Sequence, residues 1–148
     1  MKKSLILLVL MLLPLLVFAE TGIGIIVGQP SGISFKQWLG GSNAVDAAVA
    51  WSFLEGGGLY GHVNYLYENK SNVADLNIPW FWGIGANVGS WKSGDDLEIG
   101  LGVRVPIGLN FRFQKIPSEL FFEVAPGLDI VPSVGFGIGG ALGYRFIF

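Results

Sequence analysis

Leu97-Glu98-Ile99-Gly100-Leu101-Gly102-Val103-Arg104-Val105-Pro106-Ile107-Gly108-Leu109-Asn110-Phe111-Arg112-Phe113 reads with a period of two from end to end. Every odd position is large and apolar, while the even positions carry Gly, Asn, Pro or a charge. Successive side chains of a strand point to opposite faces, so this alternation specifies one bulky apolar face and one small or polar face. Pro106 cannot donate to a sheet ladder and leaves two readings. A turn there divides the stretch and raises the whole chain to ten short strands. Alternatively the chain runs through as one long strand, with or without a bulge. The unbroken odd-position pattern favours the single strand.

The same period extends in both directions. Ile23, Ile25 and Val27 precede a turn at Gln29-Pro30-Ser31; Ile33, Phe35 and Leu39 precede one at Gly40-Gly41-Ser42. Val45, Ala47, Val49, Trp51 and Phe53 lead to Gly56-Gly57-Gly58, and Leu59, Val63, Tyr65 and Tyr67 follow. Ile78 to Val88, Leu120 to Val124 and Val134 to Phe148 alternate likewise. No segment after residue 20 carries a helical period. The count is eight strands of roughly ten residues, the length a tilted strand needs to cross a bilayer.

The amino-terminal stretch leads us to expect export of this sheet from the cytoplasm. Lys2 and Lys3 precede an apolar run from Leu5 to Val17, and Val17-Phe18-Ala19 ends it with small residues where a signal peptidase reads. Residues 1–19 are therefore expected to be a cleavable signal peptide and residues 20–148 the mature domain. A retained anchor is the alternative, but the run is short and contains Pro14. With no Cys there is neither a lipid attachment site nor a disulfide. Loss of Lys2 and Lys3 leaves seven of nine basic residues against eleven acidic ones, with no basic run to suggest nucleic acid.

Sidedness decides between water and lipid. A soluble sandwich hides its bulky face, but about thirty such side chains would overfill a small barrel, whose interior just accommodates modest ones. Facing them outward into lipid relieves the crowding and sets Trp and Tyr into interfacial girdles. Because hydrocarbon offers backbone groups no partner, the sheet must then close. The expected fold is an all-β, eight-stranded antiparallel up-and-down transmembrane β-barrel. Two stacked sheets over a bulky core are the alternative. Tyr144, Phe146 and Phe148 alternate to a terminal Phe, which resembles the signal read by the bacterial barrel-assembly machinery.

The inward face carries Lys36, Arg104, Arg112 and Arg145 against Asp46, Glu68, Glu98 and Glu123, four of each sign. Lys36 and Asp46 fall opposite each other across the tight turn at 40–43. Matched buried charges point to a salt-bridged, filled lumen, since an unpaired one costs several kcal/mol. A selective pore would show one sign in excess. His62, the lone His, faces inward beside Asn64 and lacks the partners catalysis requires, so it reads as a hydrogen-bonded lumen residue. Asp95-Asp96 reads as a solvated loop tip in preference to a cation site. The glycine runs lack the strand–helix context of a phosphate cradle. No catalytic, cofactor or metal residues are expected.

Four stretches carry a family resemblance: Gly28 to Lys36, Asn43 to Phe53, Arg104 to Leu109 and Glu119 to Pro126. Together they resemble a group of short outer-membrane β-barrel proteins of double-membraned bacteria, over nearly the whole mature chain. More broadly the chain is similar to eight-stranded barrels of the OmpA and OmpX type, although its connections are short on both sides. The resemblance implies residence in the bacterial outer membrane, with its lipids and the assembly machinery as partners, and supplies no catalytic or ligand motif. The expected role is non-enzymatic, structural or at the cell surface. Two alternatives are an envelope-lipid-modifying enzyme, for which Gly61-His62-Val63-Asn64 offers no Ser at the matching spacing, and a secreted soluble barrel carrying a hydrophobic ligand.

Overall fold

The computed structural model describes residues 20–51, 58–69 and 78–148. The expected leader (1–19), Phe53 and the Gly56-Gly57 part of the third turn lie outside these residues. The fold is all-β, with nine antiparallel strands in one sheet. They are β1 (Thr21–Gly28), β2 (Gly32–Gly40), β3 (Asn43–Trp51), β4 (Leu59–Asn69), β5 (Trp80–Ser93), β6 (Asp96–Arg104), β7 (Ile107–Phe113), β8 (Ser118–Val131) and β9 (Gly135–Ile147). No helix among the described residues is long and apolar enough to cross a membrane, which has no bearing on crossing by strands.

Hydrogen bonds run around a complete ring. Each of β1 to β4 pairs with its successor, β4 pairs with β5, and β8 pairs with β9, which returns to β1. The last link extends to the final residue, where the Phe148 amide donates to the Thr21 carbonyl at 2.8 Å. The sheet therefore has no first or last strand left open over this span.

Nine strands replace the expected eight because of Pro106, yet they fill eight positions. Both β6 and β7 lie between β5 and β8. Trp82 pairs with Ile107 and Gly85 with Arg104, with two residues intervening on each strand, so the register passes the proline unshifted. The Gly83 amide still donates to the Pro106 carbonyl at 2.9 Å, whereas the proline nitrogen has nothing to return. A missing donor interrupts the ladder, with neither a turn nor a bulge at that point. The irregularities lie elsewhere, at Leu39 in β2 and at Ile130 in β8.

Tight turns need residues with unusual backbone freedom. Gly94 (φ 66°) turns β5 into β6, and Gly41 (φ 62°) turns β2 into β3. The strand alternation then sorts residues by face. Among the described residues, thirty-three large apolar side chains are exposed, while eleven apolar residues are buried, five of them alanines. Trp51 and Trp82 are each 44% exposed and Phe136 77%, so the bulky set lies on the outside of the ring, except Trp91, whose ring leans inward over Gly100. Inside are Lys36, Asp46, Arg104, Glu119, Glu123 and Arg145, all at most 5% exposed, with Trp38, Leu66, Phe81 and Phe121.

Inward rings are seated on inward glycines. Phe121 faces Gly143 across the β8–β9 pair, and Phe81 faces Gly108 across β5–β7. At both glycines an added Cβ would collide with the ring. Trp38 covers Gly22 in the same way, its ring 3.1 Å from where a Cβ would stand. A narrow closed sheet has room for a large inward side chain only where its neighbour has none, which is why Gly and aromatics are both abundant here.

Candidate functional site

Two ends of the enclosed space are distinguishable. The terminal end carries Glu20, Phe148 and the turns at 41–42 and 114–117. The open end carries the turns at 29–31, 94–95 and 132–134.

Toward the terminal end the interior is filled by a connected charge network. Lys36 Nζ pairs with Glu68 and with Glu119, the latter at 3.0 Å to Oε1. Glu68 also accepts from Trp38 Nε1 at 3.1 Å and from Asn110 Nδ2 at 3.0 Å. Arg145 donates to Asp46 Oδ2 at 3.0 Å and to Ser34 Oγ at 2.9 Å, and lies 3.5 Å from Glu119. Its guanidinium rests 3.8 Å above the centre of the Phe121 ring. Asn64 Nδ2 donates to the remaining Asp46 oxygen at 2.7 Å. Glu119 thus holds two cations at once, from β2 and β9.

Lys36 and Asp46 are register partners, but each takes its ion pair from across the enclosed space. Arg104 pairs with Glu123, and Arg145 with Asp46. Two expected members lie outside this network. Arg112 is 45% exposed at the rim of the terminal end, where it pairs with Glu20. Glu98 is half-exposed near the open end, opposite Trp91. Sequence reasoning missed Glu119, although it shares a face with Glu123 at the spacing of a strand.

His62 is buried, and its Nδ1 accepts from Arg104 Nη1, which fixes the ring proton on Nε2. A cation on Nδ1 is opposite to what a nucleophile-activating His needs, namely a carboxylate accepting from that nitrogen. No group of three or more potential metal ligands occurs among the described residues; Asp95 lies in the turn at 94–95 and Asp96 opens β6, both exposed.

Toward the open end the filled interior gives way to a cup of about 1000 Å³. Arg104 forms its floor, and Tyr60, Asn87, Trp91 and Asp129 line it together with Gly89, Gly100, Gly127, Gly137 and Gly139. The expectation of a filled lumen therefore describes only part of the interior. Glycine is the cause: here most inward glycines carry no ring above them.

The exterior is also uneven. Tyr67 stacks on Trp82 at 4.9 Å and meets Tyr65 edge-on at 5.2 Å, and Tyr144 meets Phe146 at 5.2 Å. All five lie toward the terminal end, among them Tyr144 and Phe146 of the expected assembly signal; Phe148 follows at 77% exposure. Comparison with family models, curated proteins and solved structures found no match.

Proposed function

We propose that the protein is an integral outer-membrane β-barrel of a double-membraned bacterium, similar in architecture to the OmpA and OmpX type, with a structural or surface role and no catalytic chemistry. The observation that carries this reading is the inverted distribution of side chains: thirty-three large apolar ones exposed among the described residues, and six charged ones buried within beside a few aromatics. Removing a Val, Leu, Ile or Phe from water is worth about 1.5–3 kcal/mol when complete. A belt of this size therefore amounts to tens of kcal/mol, on the order of several times the net stability of an ordinary domain. Contiguous apolar surface on this scale marks contact with lipid or protein. The closure of the sheet, each strand position paired on both sides, supports the same reading, because hydrocarbon satisfies no exposed amide.

Tyr65, Tyr67, Trp82 and Tyr144 form one interfacial girdle in this reading, their rings in the acyl region and their polar tips in the headgroups. The run Tyr144, Phe146, Phe148 serves the assembly machinery. The charge network seals one end of the lumen, so purified protein gives no steady single-channel conductance. The secreted-carrier alternative needs a polar exterior, which the exposed belt opposes.

Cell fractionation with gel electrophoresis tests the proposal. The chain is expected in the outer-membrane fraction, released only by detergent, with different mobility before and after boiling in SDS. A mature chain that stays monomeric in buffer without detergent would overturn it.

A further inference from the structure

The cup at the open end is built in rows across β5, β6 and β8. Gly85, Arg104 and Gly127 are register partners in the lowest row, and Asn87, Gly102 and Asp129 in the next. Asn87 and Asp129 converge over Gly102 from either side, their Oδ1 atoms 2.7 and 3.0 Å from where a Cβ of Gly102 would stand. One row higher the Trp91 ring leans over Gly100, 2.9 Å from the corresponding point. Tyr60 completes the arrangement beside Arg104 and His62. A half-exposed indole face therefore stands above a converging amide, carboxylate and guanidinium.

Electrostatics narrow the occupant. Arg104 is already paired with Glu123, and no ion pair holds Asp129 among the described residues. Glu98 stands opposite Trp91 at the rim. With Asp95 and Asp96 at the same end against Lys92, the mouth is net acidic among the described residues and unsuited to phosphate or another anion. An indole platform beside hydrogen-bonding groups of mixed polarity suits a ring with an apolar C–H face and a hydroxylated edge. The volume lies at the upper end of the roughly 300–1000 Å³ of ligand sites, which admits more than one such ring.

We propose that this cup binds the end of a neutral or amino-bearing oligosaccharide, with one sugar stacked on Trp91 and its hydroxyls held by Asn87, Asp129 and Arg104. The assignment concerns the interior of the closed sheet and holds whatever surrounds the exterior.

The test is isothermal titration calorimetry of the full mature chain in an amine-oxide detergent, which contains no sugar. The probes are maltotriose, chitotriose and its deacetylated form, with inorganic phosphate and glucose 1-phosphate as anionic counterparts. Saturable binding of at least one trisaccharide is expected. Trp91→Ala weakens it about tenfold or more, as for loss of an aromatic anchor, while Trp91→Phe retains most of it. Gly137→Trp abolishes it by filling the cup from a wall position where an added Cβ meets nothing within 4 Å. Heat-dependent gel mobility verifies that each variant folds. No saturable heat with any trisaccharide, tighter binding of the anionic probes, or undiminished affinity in Gly137→Trp would each overturn the proposal.

Discussion

At the terminal end of the enclosed space, Phe121, Phe81 and Trp38 each cover a glycine, and Lys36, Arg145 and Glu119 occupy what remains. At the open end the inward positions of β9 are Gly135, Gly137 and Gly139, and the space above Arg104 is left as a cup. The strands are the same and so is the alternation. What differs is whether each inward glycine has a ring or a charged side chain to receive. One end is consequently a cross-braced plug, where each group depends on several others, and the other a wall of independent positions. Substitutions of similar size should have very unlike effects at the two ends.

The largest contrast is expected at Glu119. It is 1% exposed and shared between Lys36 and Arg145. Glu119→Ala leaves two buried cations with only Glu68 and Asp46, and breaking a buried pair in this way costs about 3–5 kcal/mol. The urea midpoint of the chain folded in micelles should fall accordingly, or the heat-dependent gel shift should disappear. A midpoint within measurement error of wild type would mean that the plug is not cross-braced.

Glycine substitutions compare the two ends directly. Gly143→Ala pushes a methyl into the Phe121 ring, which is itself confined beneath Arg145, and the Ile25 carbonyl lies 3.0 Å from the new atom. Such overpacking costs about 1–3 kcal/mol. Gly137→Ala meets no atom within 4 Å and restricts the unfolded chain, so it should be neutral or stabilising by about 0.4–1 kcal/mol. Urea titration of both variants in the same micelles checks the sign. Equal destabilisation would remove the distinction between plug and cup.

The strands and their sidedness were legible because a period of two is a local property, repeated from Ile23 to Phe148 and unbroken by Pro106. Partnership and depth were not. Lys36 and Asp46 are register neighbours, as the short turn between them implies, yet Lys36 reaches Glu119 on β8 and Asp46 receives Arg145 from β9. Those pairings depend on the tilt and closure of the ring, which no short stretch encodes. Alternation likewise puts Glu98, Arg104 and Arg112 on one face of the Leu97–Phe113 stretch without stating their heights. Only Arg104 is central; the other two lie toward opposite rims. Nor does composition separate a glycine covered by a ring from a bare one, so nothing local distinguishes the cup from the plug.

Arg112 offers the smallest effect and the sharpest check on depth. Its pair with Glu20 is exposed on both sides, 45% and 56%, where such pairs contribute about 0–1 kcal/mol. Its guanidinium also lies 4.9 Å from the centre of the Trp38 ring, a contact worth about 0.5–1 kcal/mol at an exposed site. Arg112→Ala should therefore shift stability by no more than about 1–2 kcal/mol, and the Glu20 share should fade as salt is raised. A charge braced inside the plug would instead resist salt and lose several times as much. Urea midpoints of wild type and Arg112→Ala at low and high ionic strength separate the two cases. A large, salt-independent loss would mean that the plug extends to the terminal rim.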